Sequence, residues 1–104
     1  ENALIHAWQY NDKVPEFTWM KVRAEGHDGE VLEWVVEDHG GEDGHSMARA
    51  TGMVTALCAQ AWLNDPEMLP SGVHAPEVLS DEVIAGIVGA MRSHRVRIDG
   101  PDIL

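Results

Sequence analysis

The sequence has a single cysteine, few basic residues and no long apolar run, and each shortage removes a class of protein. Cys58 alone cannot close an internal disulfide, and it lies in a charge-free stretch, where a thiol serves more readily as small apolar filler than as a nucleophile. Seven Lys and Arg against 18 Asp and Glu leave a formal charge of −11, which repels phosphate backbones and anionic lipid alike. Neither nucleic acid nor a membrane surface is expected as a partner. The charge-free run from Ala50 to Asn64 is shorter than the ~20 apolar residues needed to cross a bilayer, and it carries Thr51, Thr55, Gln60 and Asn64. A soluble, cytoplasmic chain is expected. GxGxxG and GxxxxGK[ST] are both missing, so no dinucleotide or triphosphate cradle is encoded in these 104 residues. That length suits one domain with a modest core. The first residue is Glu rather than Met, and no targeting signal is visible, which reads as a processed chain or a piece of a longer one.

What is present begins with a hairpin. Phe17 to Glu25 and Val31 to Glu37 are rich in β-branched and aromatic residues and flank Gly26-His27-Asp28-Gly29-Glu30. A two-residue turn at Asp28-Gly29 would oppose Arg23 to Trp34 and Lys21 to Val36, setting charge against core. A three-residue loop, His27-Asp28-Gly29, opposes Ala24 to Leu32, Val22 to Trp34 and Met20 to Val36, so one face is consistently apolar. The second register is expected, with Gly29 in the left-handed conformation such loops need. The opposite face carries Phe17, Trp19 and Val35 among Lys21, Arg23, Glu25 and Glu33 and should be partly covered. Residues 2–10 read as a helical tail from the spacing of Leu4, Ile5 and Trp8, although the stretch is short and a non-helical segment is the alternative.

Ser46 is placed to cap a helix running to Asn64, stopped by Asp65-Pro66. Met47, Ala50, Val54, Leu57, Cys58 and Ala61 form a core-facing stripe, and Ala48, Gly52, Ala56 and Ala59 form an opposite stripe of small residues. A helix so poor in charge is expected to be covered on both sides, since a mid-helix Gly costs ~1 kcal/mol against Ala unless packing offsets it. Pro70 to Glu77 reads as an extended connector. Ser80 caps a second helix, with Asp81 and Glu82 at its positive end and Val83, Ile84, Ile87, Val88 and Met91 on one face, and Val96 to Ile98 fits a short edge strand. The elements describe an α+β fold: an antiparallel hairpin within a small mixed sheet, packed against two main helices.

Candidate chemistry is sparse. His39 and His45, with Asp38, Glu42 and Asp43 nearby, lack the spacing that fixes zinc geometry. Ser46, His45 and Asp43 are sequence neighbours and lack the nucleophile-elbow pattern, so a hydrolytic triad is not expected. The start of the helix at Ser46 offers backbone N–H groups and a positive dipole end, while Glu42 and Asp43 favour an ammonium, a combination that suits a zwitterionic ligand.

Two ordered motifs carry a family resemblance. Ser46-Met47-Ala48-Arg49-Ala50-Thr51-Gly52 meets a pattern of a small hydroxyl residue, Met-Ala-Arg, two residues and Gly, and Gly72-Val73-His74-Ala75-Pro76 meets a downstream Gly-Val-x-x-Pro. With the strands FTWMKVRAEG and EVLEWVVEDHG and a final helix ending in HRVRI, the chain from about Asp12 to Ile98 resembles the C-terminal part of saccharopine dehydrogenases and related oxidoreductases. The resemblance implies a substrate-binding and dimerisation domain, inactive alone, whose complete enzyme has an N-terminal Rossmann domain for NAD or NADP and acts on a C–N bond of an amino-acid substrate. It implies Ser46 and Arg49 as ligand-facing residues, with Met47 and Thr51 lining the site. No catalytic, cofactor or metal residue is expected in this chain. Val14-Pro15-Glu16-Phe17 departs from the Arg-Asp pair common in saccharopine-forming members, so the resemblance fixes the reaction class rather than the substrate. A homodimer is expected from the four tryptophans and the two-sided helix. The competing reading is a non-catalytic module that binds another protein through its hairpin or bare helix.

Overall fold

A computed structural model describes residues 2–7 and 13–101. The order of elements is α1 (Asn2–Ala7), β1 (Phe17–Glu25), β2 (Val31–His39), α2 (Ser46–Asn64), α3 (Asp81–Ser93) and β3 (Arg97–Asp99), with single 3₁₀ turns at Pro66–Met68 and Pro76–Val78. The fold is α+β. Its sheet has the order β1-β2-β3 and is antiparallel throughout rather than mixed. The helical tail is present over Asn2–Ala7, and the rest of that expected segment lies outside the described residues.

The hairpin adopts the register that side-chain pairing requires, with Ala24 opposite Leu32, Val22 opposite Trp34 and Met20 opposite Val36. Gly26 N–H donates to the Glu30 carbonyl at 2.8 Å and Gly29 N–H to the Gly26 carbonyl at 3.0 Å, closing the three-residue loop with Gly29 at φ 86°. β2 continues two residues past Glu37, and just beyond it Gly40 N–H donates to the Glu16 carbonyl at 3.0 Å. The connector after α2 departs from a plain extended segment, because Pro76 starts a 3₁₀ turn.

α3 begins as read, with Ser80 Oγ accepting from Val83 N–H. It ends in a Schellman motif: Val96 N–H donates to the Met91 carbonyl and Arg95 N–H to the Arg92 carbonyl, with Arg95 left-handed at φ 72°. The hydrophobic contact that accompanies such a cap involves the positions of Met91 and Val96, and these are the two buried hydrophobic residues among those described. The rest of the apolar surface is only partly covered. The radius of gyration, 17.2 Å, exceeds the roughly 13 Å of a compact domain of this length.

α2 departs furthest from expectation. Its C-terminal half packs against α3, where Leu57, Cys58 and Ala61 are half-buried, but Met47 and Val54 of the same stripe are exposed. The small-residue stripe is open as well: Ala48, Gly52, Ala56 and Ala59 are all exposed, and a methyl group added at Gly52 would meet nothing within 4 Å. The expected two-sided cover is therefore not supplied by the described residues.

Candidate functional site

The N-terminus of α2 meets the open end of the hairpin through two buried polar groups. Ser46 is not the cap. His45 holds that position without a side-chain cap bond, and Ser46 is the first helical residue. Glu16, just before β1, does the capping: its Oε1 accepts the Ser46 N–H at 2.5 Å and its Oε2 the Ser46 hydroxyl at 2.7 Å. A carboxylate outcompetes a serine hydroxyl here because it accepts two charge-assisted bonds at the positive end of the helix. Ser46 Oγ also lies 2.6 Å from Thr18 Oγ1. The Ser46 amide, then its hydroxyl, hold the Glu16 carboxyl below the usual range, aided by His45 and His39 and opposed by burial. The anion that the helix start favours is thus supplied by the chain itself.

Arg49 is the second group. Its Nε donates to Asp38 Oδ2 at 3.2 Å, its Nη2 to Asp38 Oδ1 at 3.4 Å and to the His94 carbonyl at 2.9 Å, and its Nη1 to Asp43. One guanidinium therefore ties the start of α2 to the end of β2, to the glycine turn and to the negative end of α3. Hydrogen bonding to Asp38 raises its pKa against the effect of burial. Asp43 also accepts from Arg95 Nη2 at 2.8 Å. Burial pushes the Asp43 carboxyl up, but its own backbone N–H, Arg49 and Arg95 together bring it below the ordinary value. The loop that holds Asp43 is a tight turn, since Gly41 and Gly44 exchange backbone hydrogen bonds at 3.0 and 3.1 Å.

These partners bear on the other chemistry weighed from sequence. Ser46 is bonded to Glu16 and Thr18, and Asp43 to Arg49 and Arg95, which is not the order of a triad. His39 Nε2 lies 2.7 Å from Glu37. Among the described residues no three His, Cys, Asp or Glu side chains converge as metal ligands.

Beside this junction lies an open apolar groove of about 690 Å³, lined by Met20, Val22, Trp34 and Val36 of the hairpin, by Met47, Ala50, Thr51 and Val54 of α2, and by Val88, Met91 and Ile98. Of the four motif residues singled out from sequence, Met47 and Thr51 line this groove, whereas Ser46 and Arg49 are engaged within the chain. Glu16, Asp38 and the His94 carbonyl were missed. The one available signal was that Arg49 is the only charge on α2 and needs a partner wherever it is buried.

Comparison with protein-family models, curated proteins and solved structures returns no match. Among the described residues no helix is long and apolar enough to cross a membrane.

Proposed function

We propose that this chain is a non-catalytic lobe whose groove is closed by a second protein surface, and that this surface is the dinucleotide-binding domain of an NAD(P)-dependent oxidoreductase acting on a C–N bond of an amino-acid substrate. The observation that carries the first part is the apolar groove, open to solvent although Met, Val and Trp side chains line it. The second part rests on the two ordered motifs beginning at Ser46 and Gly72. On this reading Met47 and Thr51 meet the other domain and an amino-acid-like ligand bound near it. Glu16 and Arg49 act one step away, fixing the angle at which α2 leaves the sheet.

The gene and the isolated chain test the two parts separately. A GxGxxG-bearing segment is expected in the same reading frame. Produced separately, it should bind this chain, and Val54→Asp in the groove wall should weaken that binding at least tenfold. The chain alone should show no heat of binding with NADH or NADPH. A reading frame coding for nothing beyond these residues, or micromolar binding of either nucleotide to the lone chain, refutes the oxidoreductase assignment.

A further inference from the structure

A second cavity, of about 570 Å³, lies at the far end of α2, lined by Trp62 and by Pro66, Leu69, Pro70, Ser71 and His74 of the connector. It shares no lining residue with the groove, and Trp62 lies about 22 Å along the helix from Met47. The connector here is held in shape. Asp65 Oδ1 accepts the Glu67 N–H at 3.2 Å, Pro66 starts a 3₁₀ turn, and His74 Nε2 donates to the Pro70 carbonyl at 2.9 Å, closing a loop with Gly72 at φ 130°. Its apolar parts are nevertheless open: Trp62, Leu63 and Val73 are all at least half exposed.

Charge decides what kind of surface suits this cavity. Between Arg49 and Arg92 the sequence has no Lys or Arg, but it has the carboxylates Asp65, Glu67, Glu77, Asp81 and Glu82. Among the described residues none of these is ion-paired, whereas Lys21, Arg23, Arg49, Arg95 and Arg97 all are, elsewhere in the chain. Asp81 and Glu82 suit the positive end of α3. Asp65 and Glu67 have the opposite setting. They flank Pro66 just past the C-terminus of α2, where the helix dipole is negative and the last turn has no basic residue. Carboxylates, a negative helix end and the electron-rich face of an indole ring all favour a cation.

We propose that this cavity docks a basic peptide segment of another protein, with one Arg or Lys side chain laid on Trp62, its alkyl stem against Pro66 and Pro70, and its charge toward Asp65 and Glu67. Arg suits the site better than Lys, because a planar guanidinium stacks on an aromatic face. The preformed loop needs little ordering when the segment arrives, although the contact is small and the binding correspondingly weak. The site stands apart from the dinucleotide-domain reading, which concerns the groove.

Calorimetry at low salt with a blocked hexapeptide of alternating arginine and glycine should show submillimolar binding. Its citrulline counterpart, similar in shape and uncharged, should bind at least tenfold more weakly. Trp62→Leu, with an unchanged circular dichroism spectrum, should weaken binding about tenfold. A chain of −11 attracts basic peptides over its whole surface, so position is tested at constant charge. Glu67→Lys should weaken binding about fivefold, whereas Glu42→Lys, the same change beside the start of α2, should alter it less than about twofold. Should Trp62→Leu not fold, the comparison of Glu67→Lys with Glu42→Lys decides. Absence of submillimolar binding overturns the proposal, as does equal binding of the citrulline peptide, a folded Trp62→Leu chain that binds undiminished, or a loss in Glu42→Lys as large as in Glu67→Lys. Val54→Asp, which tests the groove, should leave peptide binding unchanged, so either reading can fail alone.

Discussion

Replacing Asp38 by Ala tests whether the junction between sheet and helices is held by a buried charge. The substitution removes the acceptor of two Arg49 hydrogen bonds, at 3.2 and 3.4 Å. Only 8% of the Arg49 side chain and 2% of the Asp38 side chain are accessible, so the guanidinium cannot turn to water when its partner is lost. Deleting one member of a buried pair costs about 3–5 kcal/mol, mostly because the survivor keeps an uncompensated charge. Here the survivor retains Asp43 and the His94 carbonyl, which places the expected loss near the lower end, about 3 kcal/mol. A chain of this length with so little fully buried apolar surface has roughly 5 kcal/mol of stability, so Asp38→Ala should remove more than half.

Urea denaturation followed by tryptophan fluorescence reads the effect as a fall in midpoint of about 2–3 M, for a slope of about 1–1.5 kcal/mol/M. Arg97→Ala is the control. The Arg97–Asp99 pair is closer, at 2.5 Å, but its side chains are 67% and 55% exposed. Water and side-chain entropy limit such a pair to about 0–1 kcal/mol. Asp38→Asn, which keeps shape and removes charge, separates the electrostatic loss from the packing loss. If Asp38→Ala shifts the midpoint no more than Arg97→Ala does, burial is not what gives Arg49 its hold on the three elements.

Other features of the same region give sharper signs than magnitudes. Because Ser46 depresses the pKa of Glu16, the cap is fully present above the ordinary carboxylate range and is lost as pH falls through the lowered value. Stability should therefore decline on acidification below about pH 4, and Glu16→Gln should flatten that decline; equal slopes in urea titrations across this window would count against Glu16 as the cap. Two glycine substitutions should have opposite effects. A methyl at Gly40 would overlap Glu16 Oε1 and should destabilise, whereas Gly52→Ala meets open space in a helix and should stabilise the isolated chain by about 0.5–1 kcal/mol in thermal melts. Arg95→Gly relieves a left-handed backbone at an exposed site and should add about 1 kcal/mol, with a loss on substitution indicating that the ion pair to Asp43 outweighs the strain.

What could be seen in the sequence was decided by local rules. The hairpin register followed from a face period of two and from Gly29, whose φ of 86° the three-residue loop requires. The start of α3 followed from Ser80 and the apolar spacing up to Met91. Ser46 misled because a serine before an apolar run is a good cap only until a carboxylate arrives from elsewhere, and Glu16 comes from 30 residues upstream. Arg49 likewise reaches a carbonyl 45 residues away. No periodicity encodes such meetings, so the residues that hold the junction were invisible while the elements they join were not.

The distribution of charge connects the junction to the groove. None of the 18 acids falls between Ser46 and Asn64, and the one charge there, Arg49, is turned inward and neutralised. The side of α2 that α3 leaves open, groove wall included, therefore presents an uncharged surface, with Trp62 and Leu63 exposed near one end and Met47, in the groove wall, near the other. For a chain of −11 this is the side that another protein can approach without desolvating carboxylates, a step that would otherwise offset much of what apolar burial contributes. Arg49 matters twice in that arrangement: its ion pairs hold α2 at the angle that opens the groove, and its burial keeps the docking side neutral. A variant that frees its guanidinium should lose both, so partner binding should fall further than the population of folded chain does.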